Sequence, residues 1–187
     1  MADDINVTVD GLVPAIAQPT PNTCWATAAT ILYSWKNQAS SDIATVLSTA
    51  APQFLPMFQA DQGLPGDQKG ALLLSLGLTT EPPQDYSVDG WVQLLQTYGA
   101  LWVTTNEGAG QNFSAHARIL KGISGDGGPD TTMMDIVDPG DGSEYNESIT
   151  DFTNKFDDVA REDMGDGGTS GRKWCTIRAV WEHKQIF

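Results

Sequence analysis

The sequence predicts an α+β domain, because its hydrophobic period changes once, near Gly99. Before that residue, apolar side chains recur every three or four positions between recognisable helix caps. After it they fall in short runs rich in β-branched and aromatic residues, separated by Gly- and Asp-rich turns. At 187 residues the chain lies in the size range of one domain and is long enough to bury a core, so residues 1–187 read as a single domain.

The alternation in "INVTVDGLVPAI" predicts one short strand, which makes residues 1–13 an N-terminal strand or arm ahead of an irregular segment. From Cys24, the residues Trp25, Ala28, Leu32 and Trp35 recur at helical steps, with Asn22 or Thr23 as N-cap and neither Pro nor Gly until Pro52. That helix is expected to be buried on one side, or nearly all round. "SSDIATVLSTAAP" reads as a second helix capped by Ser40 or Ser41, and "QFLPMFQADQGLPG" as a loop. "GDQKGALLLSLGL" forms a third helix, and "VDGWVQLLQTY" a fourth that Ser87 caps and Gly99 ends. "ALWVTT", "AHARILKGI", "TTMMDIVDP" and "RKWCTIRAVWEH" read as strands, with "YNESITDFTNKFDDVA" a helix between the last two. Helices followed by an antiparallel sheet place a functional cleft between two layers.

A formal charge of −14, with no basic residue before Lys36, argues against nucleic acid and anionic membrane as partners. The longest apolar run, "ALLLSLGL", is interrupted by Ser75 and Gly77 and falls short of a bilayer span. The same N-terminal stretch has no signal-peptide n-region, so the expected site of synthesis is a reducing cytoplasm, with Cys24 and Cys175 both free thiols. No spacing of Cys and His suggests a zinc site. The runs "GDGGPD" and "GDGG" lack the ligand order of a calcium loop and read as turns, so no metal or cofactor is expected.

Cys24 opens a helix, where unpaired N–H groups and the helix dipole favour a thiolate. Of the two histidines, His116 is the better base, because it begins a strand directly after "NEGAGQNFSA", where a side chain faces a cleft; His183 lies among charged residues near the C-terminus. Asp138, at the end of a strand expected to pair with that of His116, supplies an acceptor for the far imidazole nitrogen. Gln18, six residues before Cys24, offers an amide to an oxyanion. Each residue taken alone has a plainer reading: a core cysteine, a strand histidine bonded to a carbonyl, and an aspartate capping its own "DPGDG" turn. Trp91, Trp102, Trp174 and Trp181 read as core, while Trp25 both packs and walls the cleft beside the thiol.

Gln18, "CWATAA", "GALWVTT", "HARILKGISGDG", "DIVDPGDG" and "ITDF", in that order over residues 14–156, resemble a bacterial papain-like cysteine peptidase, of the avirulence-effector and bacteriocin-leader-cleaving branches. The resemblance implies a papain-like fold: a helical layer headed by the Cys24 helix, packed against antiparallel strands that bear His116 and Asp138. It implies Cys24 as nucleophile, His116 as general base and then acid, Asp138 as orienter and Gln18 as oxyanion donor. Plant and animal papains have Asn in the third role; Asp matches the leader-cleaving branch. The implied activity is endopeptidase cleavage of a protein or peptide substrate. For such an enzyme the expectation is an effector or toxin made in a bacterial cytoplasm, exported by specialised machinery and restrained by a cognate inhibitor or immunity protein. The same thiol and imidazole also suit an amidase or acyltransferase acting on peptidoglycan, and the fold without turnover suits a peptide-binding module.

Overall fold

The computed structural model describes residues 4–81, 85–109, 112–165 and 177–178. Strand β1 (Ile5–Thr8) is followed by helix α1 (Cys24–Asn37). Four elements then lead to the sheet: α2 (Ile43–Thr49), α3 (Phe54–Gln59), α4 (Gly66–Ser75) and the two-residue strand β2 (Thr79–Thr80). Helix α5 (Val88–Tyr98) precedes β3 (Leu101–Asn106), β4 (Ala115–Gly125), β5 (Met133–Asp138) and β6 (Ser143–Ser148). Helix α6 (Ile149–Gly165) and β7 (Ile177–Arg178) complete the order.

The α+β expectation holds, and all strand pairs are antiparallel, in the order β2-β7-β3-β4-β5-β6. β4 is the axis of the sheet. β3 pairs with its first half, from Leu101 opposite Leu120 to Asn106 opposite Ala115, and β1 continues that lane along its second half, from Ile5 opposite Gly125 to Thr8 opposite Gly122. Alternation along β4 sends Ala117 and Ile119 to one face and Arg118 and Leu120 to the other, and all four are buried. A strand buried on both faces requires cover on both. Lys69 of α4 reaches Thr104 and Trp102 on the first face, and Phe152 of α6 meets Arg118 on the second.

Helix α1 is the spine of the helical layer. Ala26, Ala28 and Ala29 have no exposed surface, so neighbouring elements approach the helix backbone closely. The buried hydroxyls of Thr27 and Thr30 donate back to Thr23 O and Ala26 O at 3.2 and 2.8 Å, which satisfies them without external partners. Its C-terminus is closed by Gln38, in the left-handed region at φ 47°; the Gln38 side chain accepts from Leu12 N at 3.0 Å. Trp35 Nε1 donates to Asp10 O at 2.8 Å. The N-terminal segment is thereby tied along α1.

Helix α5 has the ends read from sequence, Ser87 accepting from Gly90 N and Gly99 turning out at φ 74°. A Cβ at Gly99 would stand 2.2 Å from the Trp35 ring, so glycine is required there by space as well as by φ. The cap of α2 is Asp42, which accepts from Thr45 N at 2.9 Å, rather than Ser40 or Ser41. Two stretches depart further from expectation. Residues 54–59 are helical rather than loop: Pro56 falls in the first turn, where a missing N–H leaves no intrahelical bond unmade, and Phe54 is fully buried against Trp25. Tyr145 to Ser148 are strand, and the helix read from Tyr145 starts at Ile149. Gly142, at φ 73°, closes the turn after Asp138 by donating to Asp138 O at 2.8 Å, which folds β6 back on β5 before the helix begins. Of the C-terminal strand read over residues 172–183, Ile177–Arg178 are paired as β7, and the rest, with Trp174, Cys175, Trp181 and His183, lies outside the described residues.

Candidate active site

The helical and strand layers meet at a cleft of about 210 Å³, bordered by Cys24, Trp25, Lys69, Trp102 and His116. A larger groove of about 810 Å³ runs between β1, the end of α1 and α5, and among the described residues neither thiol nor imidazole lines it. Cys24 and His116 both line the smaller cleft.

Cys24 is the first residue of α1 and is partly buried. The Thr23 side chain makes no cap bond, so the free N–H groups of the first turn remain directed at the thiol end of the helix. The approach to Cys24 is held by Asp61, which accepts from Asn22 N at 3.0 Å and from the Thr20 hydroxyl. Burial pushes the Cys24 thiol up, but a hydrogen bond from His116, the Ala117 and Trp25 N–H groups and the His116 charge together bring it below its ordinary value. Trp25 is buried in the core, lines the cleft and donates Nε1 to Gln62 O at 2.9 Å, fixing the loop after α3 along the rim.

His116 is the second residue of β4. Its Nε2 meets Asp138 Oδ1 at 2.6 Å, and the imidazole is also hydrogen-bonded to Cys24. Burial lowers the affinity of this ring for a proton, but the Asp138 and Cys24 hydrogen bonds and charges outweigh it and raise His116 from 6.5 to about 9. Asp138 is pushed up by burial and pulled down further by His116, the Gly140 N–H (2.7 Å) and the Arg118 charge, so it stays below the usual carboxylate range. The three shifts share one cause: each group is moved toward its charged form by the neighbour it bonds, Cys24 by His116, His116 by Asp138 and Cys24, and Asp138 by His116.

Residues 7–157 match the sequence model of the family described as papain-like cysteine protease AvrRpt2. The chain belongs to that family. It is therefore a papain-like cysteine protease, a hydrolase, and its substrate is protein. No curated protein matches the chain.

Gln18 is positioned differently from the other three residues. Its Nε2 donates to Thr20 O and Pro21 O, both at 2.9 Å, which occupies both amide hydrogens, while its Oε1 is buried without a partner among the described residues. Its backbone N–H donates to Pro139 O at 2.6 Å, joining the segment before Cys24 to the turn that carries Asp138. The first aspartate of "GDGGPD", Asp126, accepts from Gly128 N at 2.9 Å and from the Thr131 hydroxyl, so it is consumed by its own hairpin turn. The "GDGG" run lies, after Gly165, outside the described residues.

Three residues near the site escaped sequence reasoning. Asp61 holds the Cys24 approach from 37 positions away and carries no local signal. Arg118 was legible only as one position of an apolar strand, yet it shares the His116 face, two residues along β4. Tyr145, hydrogen-bonded to both Arg118 and Asp138, lies in the strand that the sequence pattern disguises as helix.

Proposed function

We propose that this protease is an endopeptidase with a Cys24–His116–Asp138 triad and Gln18 as an oxyanion donor. The Cys24 thiolate adds to the scissile carbonyl, forming a C–S bond and placing the electron pair on oxygen. The Cys24 N–H and the Gln18 amide take that oxyanion, for which Gln18 exchanges one of its two carbonyl acceptors for the substrate. The C–N bond then breaks as His116 gives its proton to the leaving amine. Neutral His116 next takes a proton from water, whose oxygen attacks the thioester; collapse releases the acid and restores thiolate and imidazolium. Asp138 holds Nε2 throughout, leaving the other ring nitrogen for Cys24. Trp25 forms the wall against which bound peptide lies.

The observation that carries this reading is the bond of His116 to both Cys24 and Asp138, with the imidazole raised to about 9. The test is cleavage of an unstructured protein such as casein, or of a peptide library, by the wild-type, Cys24→Ala and His116→Ala proteins. Turnover by wild type alone is expected, and turnover retained in either variant contradicts the assignment.

The biological role follows the family. The protein acts as a bacterial effector or toxin, made in the cytoplasm, carried out by specialised secretion and restrained by an inhibitor protein until release; residues 1–187 act as one domain. The AvrRpt2 designation of the family supports delivery into another cell. Among the described residues, no helix is long and apolar enough to cross a membrane. Purification of the tagged protein from its own host should bring down the inhibitor, and a chain that is non-toxic and unaccompanied there contradicts this role.

A further inference from the structure

Behind the imidazole, the α6-facing side of the sheet holds a buried polar cluster that the triad does not account for. Strand registers put Thr105, His116, Arg118, Asp138, Tyr145 and Glu147 on one face. Arg118 has no exposed surface. Its Nε donates to Thr105 Oγ1 at 2.8 Å, its Nη1 to Glu147 Oε2 at 2.7 Å and to the Tyr145 hydroxyl at 3.0 Å, and its guanidinium lies over the Phe152 ring. Glu107 and Lys155 complete the cluster, Lys155 bridging Glu107 and Glu147 at 3.0 and 2.5 Å. A fully buried guanidinium is costly to desolvate, and an apolar side chain of similar volume would fill this sheet–helix contact without that cost.

We infer that Tyr145 and Arg118 are positioning residues acting through Asp138: Arg118 orients the Tyr145 hydroxyl, and that hydroxyl holds the second oxygen of the Asp138 carboxylate. This rests on the triad reading above. Arginine only donates, so the Tyr145 oxygen must be the acceptor of that bond, and its single hydrogen is left for Asp138. Tyr145 OH stands 3.4 Å from Asp138 Oδ2, while Oδ1 is taken by His116 and the Gly140 N–H at 2.6 and 2.7 Å. The carboxylate is thus gripped at both oxygens, one by the base it serves and its own turn, the other by a phenol that a buried cation aims. Without the phenol, the carboxylate is held only at Oδ1, by His116 and the Gly140 N–H, and its terminal torsion is less tightly set.

The charged and titratable groups facing His116 and Asp138 are Cys24 from α1, Arg118 from β4, Asp141 from the turn, and Tyr145 and Glu147 from β6, with Glu107 and Lys155 behind Arg118. Tyr145→Phe removes one oxygen, leaves all these charges in place and retains the ring. The experiment follows alkylation of Cys24 by iodoacetamide across pH, by peptide mapping, in wild type, Tyr145→Phe, Arg118→Lys and Asp138→Asn, with the His116 titration read from its imidazole proton resonances in the same proteins. Tyr145→Phe is expected to move the His116 titration to lower pH and to slow alkylation at pH about 6 by roughly three- to tenfold, in the direction of Asp138→Asn but by less. Arg118→Lys, which keeps charge but loses the fork, is expected to follow Tyr145→Phe. A folded Tyr145→Phe protein with the wild-type titration and alkylation profile overturns the inference, even where Asp138→Asn behaves as the triad requires. If Cys24 of wild type alkylates as an ordinary thiol and Asp138→Asn changes nothing, the triad reading fails and this inference with it. Should Arg118→Lys fold poorly, Tyr145→Phe decides alone.

Discussion

On the helix side of the cleft Cys24 is held by packing; on the sheet side His116 is held by charge. The α1 helix behind the thiol is largely apolar, with three fully buried alanines and the hydroxyls of Thr27 and Thr30 turned back on its own backbone. The strands behind the imidazole carry Asp138, Arg118, Tyr145 and Glu147, with Glu107 just past the end of β3, linked to one another within a few ångströms. The division is physically sensible. A nucleophile must be placed to a fraction of an ångström, which a close-packed helix does well. A base must keep one tautomer and one charge while protons pass through it, which needs preorganised dipoles and counter-charges.

The comparison breaks first at Cys24, the proposed nucleophile. Cys24→Ala should reduce peptide turnover by about 10³-fold or more while leaving the melting temperature close to wild type, measured by cleavage assay and thermal melt. Activity loss with parallel unfolding would mean that the thiol is part of the packing it stands on. On the charged side, Asp138→Ala should cost about 10²-fold in kcat, with little change in KM. The pH dependence has a definite sign. His116 is raised to about 9, so the imidazolium is kept through neutral pH and the rate should fall as pH rises through about 9. Its contribution to stability is whole below its unfolded value of 6.5 and is lost over the same rise, whereas that of Asp138, whose value is depressed, is lost on acidification. Asp138→Ala should draw the alkaline limb of the rate profile downward in pH; an unmoved limb would detach Asp138 from the base.

On the packed side, Ala29→Leu should destabilise the fold by about 1–3 kcal/mol, because the added carbons enter a fully buried, close-packed position, and leave the pH profile of the folded fraction unchanged. A shifted profile would show that packing and charge are not separable. The smallest effect is expected at Gln18→Ala, about tenfold in kcat at constant KM, because the Cys24 N–H remains as donor and the Gln18 amide must first leave its own loop.

How much of this was legible in the sequence divides along the same line. Helix α1, the α5 ends at Ser87 and Gly99 and the hairpin at Asp126 followed from period, caps and turn chemistry, which are local. His116 and Asp138 were singled out because a triad needs those residue types, and it is strand register that brings the two side chains together over 22 positions. α3 was hidden by Pro56, a breaker in a helix interior but harmless in a first turn. β6 was hidden because its polar residues run without a break into the α6 pattern, although the turn that separates them from β5 carries its own signal in Asp141 and Gly142, the latter at φ 73°. Arg118 was missed for a third reason: a charged residue in a strand reads as exposed, and only tertiary partners on β3, β6 and α6 make its burial tolerable.

The central claim is that Cys24 is ionised because His116 is protonated beside it. The most direct test is a titration of the ultraviolet thiolate absorbance, taken as wild type minus Cys24→Ala so that Cys175 cancels, and repeated with His116→Ala. The account predicts that the Cys24 thiolate persists in wild type well below the ordinary thiol value of about 8.5, and that His116→Ala returns its titration to that value or above. A Cys24 that titrates as an ordinary thiol in wild type, or one whose titration is indifferent to His116, would contradict it.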